Sequence, residues 1–448
     1  MPWSAIDEGA TMFGYYFHLG LRSLMRNPVL TGLMVLSIAV GVAASMTTYA
    51  VFRATSSNPI PEKSAQLFVA QIDNWGPTEN IENGGEPPRA LSYKDTIALM
   101  RDHRAMRQTA LYPIKASIVP ADMALLPFQV SSYATYSDAF PMFGVPFLYG
   151  GGWSAAEDES RAAVAVISRS LNDSLFKGAN SVGKEINIDG RSYRIRGVMD
   201  RWNPQPLFYD AANTGGFDKP AQLFIPFTHA ISLQLPTNGN RSCYKTPGAG
   251  WEAWLQSECA WIAYWVELPD KASAESYLNY LRNYSAQQQQ SGRFNWPPNA
   301  RLRDVAQWLD YLKIVPPESK ISALLGLGFL LICLVNTIGL LLAKFMRRAA
   351  EIGIRRALGA PRSAIYMQFL VEAGTVGLAG GVLGLLLTGL GMLGTDLVFE
   401  PEIARLAELN VSLAALTLVV ATLATVIAAL YPIWRAAQVQ PAWQLKAN

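Results

Sequence analysis

The stretch VLTGLMVLSIAVGVAASMTTYAVF, residues 29–52, has no side chain that is charged at neutral pH in 24 consecutive positions. At about 1.5 Å of rise per residue, a helix of this length measures roughly 36 Å, which is enough to cross the hydrocarbon core of a bilayer. A cleavable signal peptide would have a shorter apolar core and a small-residue cleavage site. The stretch therefore predicts a retained membrane-spanning helix.

Three more apolar runs of similar length lie together near the other end of the chain, at residues 321–343, 364–394 and 411–434. Half of all residues are hydrophobic and only 16% are charged, a composition typical of a chain with membrane-embedded parts. Residues 53–320 contain polar loops and no run of membrane length. We therefore predict an α-helical membrane domain of four transmembrane helices, with a large α+β extracytoplasmic domain inserted between helices 1 and 2.

The basic residues predict the orientation of these spans. Segment 344–363 carries six basic side chains and one acidic one, Glu351, whereas loop 395–410 carries four acidic side chains and one basic one, Arg405. Basic loops stay on the cytoplasmic side of a membrane. Segments 1–28, 344–363 and 435–448, including both termini, are therefore expected in the cytoplasm, and residues 53–320 and 395–410 outside it.

The octapeptide GANSVGKE, residues 178–185, is one residue short of the phosphate-binding pattern G-x-x-x-x-G-K-[ST]. A phosphate loop joins a strand to the N-terminus of a helix, where backbone N–H groups face the phosphates. Here a predicted strand (163–167) and a short helix (168–176) come before the octapeptide, and a hairpin with the turn Asp189-Gly190 follows it. This order favours a structural turn over a nucleotide site.

Other catalytic patterns are missing from the sequence. The three histidines, His18, His103 and His229, have no metal-ligand spacing, and neither G-x-S-x-G nor H-E-x-x-H occurs. We expect a chain that is not an enzyme, that holds no metal or cofactor of its own and that binds no nucleic acid.

Cysteine usage predicts one disulfide. Cys243 and Cys259 both fall in the predicted external domain, where an oxidising environment permits disulfides, whereas Cys333 falls within a span. Closing a loop of roughly 15 residues would contribute about 3 kcal/mol on the chain-entropy estimate.

The segment KFMRRAAEIGIRRALGAPRSAIYMQFLVEAG, residues 344–374, predicts a helix that continues from the second span into the cytoplasm. Glu351 can pair with Arg347 and Arg355 four residues away, and Gly359-Ala360-Pro361 supplies a stop. A polybasic anchor on anionic lipid is one interpretation. Ile352, Ile354 and Leu358 lie among the charges, however, which favours a protein partner.

Residues 336–374 resemble the signature R-x-x-E-I-G-x-R-x-A-x-G-A of the MacB/FtsX family of ABC transporter permeases. LRSLMRNPVLTGLMVLSIAVGVA (21–43) is similar to the family's entry into its first span, and YPIWRAAQVQPAWQLK (431–446) to its closing segment. Residues 136–200 resemble the MacB-type periplasmic domain.

The resemblance implies a permease in a bacterial inner membrane that dimerises with a second copy or a homologous permease. It implies two copies of a cytoplasmic ATPase, which hold the ATP and Mg²⁺. Their ATP-driven motion is passed to the periplasmic domain, a mode called mechanotransmission. Because the sequence starts about 28 residues before its first span, we expect the ATPase on a separate chain. A periplasmic adaptor and an outer-membrane channel are further expected partners.

The implied ATPase-coupling residues are Arg347, Arg348, Glu351, Ile352, Arg355 and Arg356. The external domain is expected to divide into a porter-like part (about 55–130 and 255–318) and a Sabre-like part (about 131–254).

Two features of the third span predict helix contacts. Small residues allow close packing in lipid, either within the chain or in a dimer: Gly377, Gly380, Gly381 and Gly384. Glu372 lies only ten residues past Arg362, close to the cytoplasmic edge, so we expect a carboxylate bonded to a neighbouring helix rather than an ion pathway.

Four tryptophans lie within fifteen residues of the external domain: Trp251, Trp254, Trp261 and Trp265. Such a cluster is typical either of a contact surface or of a core. Residues 261–268 predict a strand with alternate side chains facing inward, and a helix is expected over about 272–289.

Two functions fit these patterns. The first is export or efflux of a peptide, antibiotic, siderophore or lipid-linked cargo; the second is FtsX-like signalling that activates an extracytoplasmic cell-wall hydrolase. The external domain of about 268 residues favours the first, because FtsX-type external domains are generally smaller.

Overall fold

The computed structural model describes residues 27–76, 84–120, 126–315, 317–393 and 411–438. The predicted loop 395–410, nearly all of segment 1–28 (with His18) and most of tail 435–448 lie outside these ranges. The described chain forms two compact units. One, the membrane unit, comprises the residues up to Thr55 and those after Val315; the other, the external unit, runs from Ser56 to Val315.

The elements follow one another in this order. The first helix and the external unit contain α1 (Pro28–Ser56), β1 (Leu67–Ile72), β2 (Leu91–Ser92), α2 (Tyr93–Asp102), β3 (Arg107–Val119), β4 (Phe128–Thr135), α3 (Ala139–Met142), β5 (Phe147–Gly150), α4 (Ala155–Glu159), β6 (Val164–Ser168), α5 (Arg169–Phe176), β7 (Glu185–Ile188), β8 (Arg191–Met199), a 3₁₀ turn (Phe208–Asp210), α6 (Ala211–Thr214), β9 (Leu223–Pro226), α7 (Phe227–Ser232), β10 (Ser242–Cys243), α8 (Trp251–Leu255), β11 (Cys259–Glu267), α9 (Lys271–Gln290), β12 (Ala300–Asp304) and α10 (Val305–Tyr311). The remaining helices are α11 (Pro317–Met346), α12 (Ala349–Ala357), α13 (Arg362–Leu393) and α14 (Val411–Ala437).

In the described chain four helices are long and apolar enough to cross a membrane: Pro28–Arg53, Ser319–Met346, Arg362–Met392 and Val411–Ala436. All backbone hydrogen bonds of a helix are internal, which is why helices can span lipid. Large apolar side chains such as Leu325, Leu386 and Ile427 remain more than half exposed on the outside of the unit, as expected of surfaces that face lipid tails. The four predicted spans are confirmed.

The predicted glycines of α13 pack inside the chain. Gly377 and Gly381 face Thr425 and Ala421 of α14, and Gly380 and Gly384 face Ile38 and Ala39 of α1. A Cβ atom at Gly380 would lie 2.8 Å from Ile38 Cγ2, so only glycine allows the two helices to approach this closely. These positions therefore serve contacts between helices of one chain.

A mixed sheet organises the external unit, in the strand order β12-β1-β11-β3-β4-β9-β6-β8-β5. The pairs β4–β9 and β6–β8 are parallel, and the other neighbours are antiparallel. Helices cover the sheet, so the predicted α+β class is confirmed. The long strand β3 pairs with β11 and with β4, which joins the strands of the predicted porter-like and Sabre-like parts in one sheet.

The central strand β11 is buried on both faces, so the prediction of inward and outward alternation is wrong for it. Tyr264 belongs to one hydrophobic core of the external unit, and Trp265 belongs to the other. A register shift between Ala260 and Ile262 lets Trp261 join the core of Tyr264. Trp251 and Trp254 pack partly buried against that same core. The aromatic cluster is therefore mainly core.

The octapeptide 178–185 lies after α5 and leads directly into β7, as predicted. Gly178 and Gly183 have φ values of +79° and +84°, which favour glycine, and the Gly183 N–H donates to the Ile195 carbonyl at 2.8 Å. Asp189 and Gly190 both have positive φ at the tip of the β7–β8 hairpin. The stretch is a turn in front of a hairpin, and no helix begins at its end.

Candidate coupling site

Helix α12, which carries most of the predicted coupling residues, is separate from the second span, contrary to the predicted continuous helix. Arg347 and Arg348 form a turn between α11 and α12, and Arg348 has φ −99° and ψ 11°. From this turn the Arg348 side chain reaches Glu372 of α13. At the other end, Gly359 has φ +95° and α12 stops at Ala357, where the Gly-Ala-Pro stop was predicted.

A buried carboxylate joins α12 to the membrane helices. Glu372 of α13 forms ion pairs of 2.8 Å with Lys344 Nζ through Oε1 and with Arg348 Nη1 through Oε2. The Lys344 ammonium is also 3.4 Å from Thr31 Oγ1 of α1. The prediction that Glu372 bonds a neighbouring helix is confirmed, and the bond ties α1, α11 and α13 together at the root of α12.

Burial makes this cluster energetically demanding. The side chains of Lys344 and Glu372 are 0% and 2% exposed. A charge taken out of water costs several kcal/mol unless a counter-charge and hydrogen bonds replace its hydration. Removing one charged side chain of this cluster would therefore leave another buried charge without its partner. The ion pair of Arg348 with Glu372 holds the start of α12 in place.

Ile352 faces inward, although it was predicted among the partner-facing residues. Its side chain is 4% exposed and belongs to the apolar core of the membrane unit, together with Phe345 and Phe369, whose ring centroids are 4.3 Å apart. Burial of one large aliphatic side chain contributes about 1.5–3 kcal/mol. Ile352 thus holds α12 against α11 and α13.

A different face of α12 is turned outward. Glu351, Ile354, Arg355 and Leu358 follow one another at intervals of three, one and three residues, which places them on one side of the helix; we call them the coupling face. Ile354 and Leu358 are 61% and 83% exposed. Arg355 donates to Glu351 at 2.6 Å and to Gln368 of α13 at 2.8 Å. The face therefore combines two exposed aliphatic side chains with an arginine, a residue type that is enriched at protein interfaces.

The structure therefore divides the six predicted coupling residues. Glu351 and Arg355 lie on the coupling face, Arg347 is exposed in the preceding turn and Arg356 is half-buried, whereas Arg348 and Ile352 point into the unit. Sequence reasoning did not assign Lys344, Gln368 or Thr31 to the site. The position of Lys344 at the end of an apolar run is a sequence feature that could have indicated a buried, paired lysine. No local feature indicates Thr31, because its partner Lys344 is 313 residues away.

The external unit contains the predicted cysteine pair as a disulfide. Cys243 of β10 and Cys259 of β11 are bonded across an antiparallel pair of strands, and their Cα atoms are 4.0 Å apart. Cys333 is a buried free thiol in α11.

Two known families match this chain. The family described as a MacB-like periplasmic core domain matches residues 31–284, and the family described as an FtsX-like permease C-terminal region matches residues 323–441. The first match covers α1 and most of the external unit, and the second covers α11 to α14 with the coupling site.

Individual relatives agree with these matches. The chain is 24% identical to a macrolide export ATP-binding/permease protein MacB from Syntrophobacter fumaroxidans, over 95% of this chain and 62% of that protein. It is 25% identical to the protein of the same description from Escherichia coli K12, over 86% of this chain and 52% of that protein. The chain thus spans about half to three-fifths of the length of these relatives.

Two solved structures are also similar to it. The periplasmic region of MacB from Actinobacillus actinomycetemcomitans aligns with 56% of this chain and 94% of its own length, with 12% identity and a TM-score of 0.34. The extracellular domain of the noncanonic ABC-type transporter YknZ from Gram-positive bacteria aligns with 53% of this chain and all of its own, with 9% identity and a TM-score of 0.34.

The MacB-like match alone extends over more than half of the 448 residues, and the FtsX-like match accounts for the remaining membrane helices. The chain therefore belongs to the MacB/FtsX family of ABC transporter permeases and is a multi-pass protein of the inner membrane.

Proposed function

We propose that this chain is a permease subunit that couples ATP hydrolysis by a cytoplasmic ATPase to motion of its external unit, and so drives export or efflux of a peptide, antibiotic, siderophore or lipid-linked cargo. In this proposal two ATPase copies act on a dimer of permeases, and both termini of the chain are cytoplasmic. A periplasmic adaptor and an outer-membrane channel complete the path where the cell has a second membrane.

The coupling face is the observation that carries this proposal. It presents Ile354 and Leu358 beside the Glu351–Arg355 pair, on a helix whose root is bonded to Glu372 inside the membrane unit. A force applied to α12 would reach α11 and α13 directly, because the ion pairs and the packing of Ile352 leave the helix little freedom to move alone.

The test begins with the chain in its native membrane. A photo-reactive amino acid at position 358 should crosslink to an ATPase, whereas the same group at position 126 should not. Leu358 and Leu126 form a matched pair, since they are 83% and 84% exposed and lie in the membrane unit and the external unit respectively. Leu358→Glu should weaken ATPase recovery by at least about tenfold, equivalent to about 1.4 kcal/mol, while Leu126→Glu should leave it unchanged.

A charge swap separates partner contact from internal pairing. The double variant Glu351→Arg/Arg355→Glu keeps two opposite charges four residues apart, so α12 should remain folded. If the pair contacts the ATPase, the swap variant should recover less ATPase than the natural chain does. The ATP hydrolysis measured in the recovered complex should fall with it. Full recovery in the swap variant, or crosslinking to no ATPase at position 358, would refute the coupling role. Capture of a cell-wall hydrolase on the external unit, with its activation, would instead support FtsX-like signalling.

A further inference from the structure

Helix α11 carries an exposed amide in the middle of a span. Asn336 is exposed on this helix, and its side chain has no hydrogen-bond partner in the described chain. Met346, the last residue of the span, lies ten residues further on, which places the amide about 15 Å from that end. The span of 28 residues measures roughly 42 Å, so this depth falls inside a hydrocarbon core of about 30 Å.

Buried hydroxyl groups of the same bundle bond to backbone carbonyls instead. Thr337, the next residue, donates to the Cys333 carbonyl at 2.8 Å, and Thr388 donates to a carbonyl of its own helix at 2.8 Å. A carboxamide has two N–H donors and a carbonyl acceptor. Lipid tails offer it no partner for either, and a polar group without partners in hydrocarbon is costly. The Asn336 amide therefore requires a partner from outside the described chain.

Asn336 lies on an exposed stripe of α11. Five exposed residues follow one another at intervals of seven, four, three and four positions, which places them on one side of the helix; we call them the α11 stripe: Leu325, Ile332, Asn336, Gly339 and Ala343. Leu325 and Ile332 are 69% and 67% exposed. A Cβ atom at Gly339 would meet no neighbouring helix within 4 Å, unlike the glycines of α13 that face α1 and α14. The stripe is therefore open to a further helix.

The chemistry of the stripe favours a second copy of the same chain. A carboxamide is both donor and acceptor, so two Asn336 side chains related by a two-fold axis can each donate an N–H to the carbonyl oxygen of the other. Small residues let two helix backbones approach closely enough for such bonds, and Gly339 and Ala343 occupy the next turns of the stripe. Two copies enter the membrane in the same orientation, so a parallel pair brings equivalent positions to equal depth.

We propose that the α11 stripe packs in parallel against the α11 stripe of a second copy, with the two Asn336 amides hydrogen-bonded to each other inside the membrane. This inference rests on the dimer in the proposed function and adds the helix, the face and the bond that hold it. A heptad spacing predicts a left-handed crossing of about 20°. No residue of the coupling face belongs to the stripe, so the two contacts can be tested separately.

Cysteine crosslinking of the full chain in native membranes tests the face. The starting variant is Cys333→Ala, which removes the buried free thiol of α11. Ile332→Cys and Leu331→Cys are then a matched pair, since the natural side chains are 67% and 56% exposed at adjacent positions and only Ile332 belongs to the stripe. Oxidation with copper phenanthroline should join Ile332→Cys chains into homodimers at least about fivefold faster than Leu331→Cys chains, because adjacent helical residues point about 100° apart.

Substitutions of Asn336 test the amide. Energy transfer between donor-labelled and acceptor-labelled chains, in liposomes diluted with increasing lipid, gives the dissociation constant of the dimer without the ATPase. Asn336→Leu should raise this constant about threefold to tenfold, because it removes the reciprocal hydrogen bonds. Asn336→Gln keeps a carboxamide and should stay within about twofold of the natural chain.

Three results would overturn the proposal: equal crosslinking at positions 331 and 332, crosslinking at position 332 to another protein or to none, or equal dissociation constants for Asn336→Leu and the natural chain. The photo-crosslink from position 358 to the ATPase is read in the same membranes. A chain that keeps this crosslink but fails the tests on α11 loses the α11 interface alone, whereas loss of the position 358 crosslink counts against the coupling role.

Discussion

Glu372 shows how one residue can hold a bundle of apolar helices to the short helix α12. Its two oxygens each bond a different basic side chain, Lys344 and Arg348, and all three groups are largely withdrawn from water. Its position ten residues after Arg362 was enough to predict an interfacial carboxylate with a partner on another helix. Which partners it takes depends on the turn at 347–348, and the sequence does not show that turn.

Removing this carboxylate should leave a buried ammonium unpaired. We expect Glu372→Gln to lower the free energy of unfolding by about 3 kcal/mol or more, because Lys344 then has no counter-charge at 0% exposure. The double variant Lys344→Met/Glu372→Gln should be more stable than the single one, since it removes the unpaired charge as well. Unfolding of the purified chain in mixed micelles measures both; a double variant that is less stable than Glu372→Gln would contradict the account.

Asp210 should give the external unit a pH-dependent stability. Burial raises its folded pKa to about 7, above the ordinary value of 3.8, so between these two values the folded chain holds the proton more tightly than the unfolded chain. This contribution to stability is fully present below the unfolded pKa, and it is lost as the pH rises through 7.

The variant Asp210→Asn cannot titrate, so its unfolding midpoint should rise less than that of the natural chain as the pH is lowered from about 7 to about 4. Asp310→Asn, at an exposed position of α10, serves as the control and should leave the pH profile unchanged. Tryptophan fluorescence during thermal unfolding gives the profiles. Parallel profiles for Asp210→Asn and the natural chain would show that Asp210 is ionised in the folded state.

At the scale of elements, α12 combines a part that the sequence predicts with a part that it does not. The helix and its stop at Gly359 follow from local residues, since left-handed φ at that position favours glycine. The division into a buried face with Ile352 and an exposed face with Ile354 and Leu358 depends on where α11 and α13 lie. Sequence spacing gives the helical faces, but only packing decides which of them is covered.

The disulfide between β10 and β11 should be measurable by counting thiols. The chain has three cysteines, and we expect one of them, Cys333, to react under denaturing conditions without reductant and all three to react after reduction. The variant Cys243→Ser/Cys259→Ser should lose about 3 kcal/mol of stability, because the bond closes a loop with a sequence separation of 16. Three reactive thiols without reductant would exclude the bond.

Strand β11 illustrates the limit of periodicity. Its sequence CAWIAYWVE contains few polar residues, so alternation gives no outward face, and the structure covers both sides with separate cores. Its location between β1 and β3 explains this burial, since a central strand of a covered sheet has no solvent side. Pairings between strands far apart in the chain, such as β1 with β12, leave no local trace in the sequence.

For the whole molecule, the sequence by itself determined the four spans, the large external insertion, the hairpin at 185–199 and the point where α12 ends. Each of these depends on local patterns: the length of an apolar run, the distribution of basic residues, or a turn residue with positive φ. Tertiary structure alone decided that the glycines of α13 face α1 and α14, that Glu372 joins Lys344 and Arg348, and that Trp261 and Trp265 of β11 pack in separate cores. The physical reason is that these contacts join residues far apart in the chain, and burial and charge pairing act on distances in space.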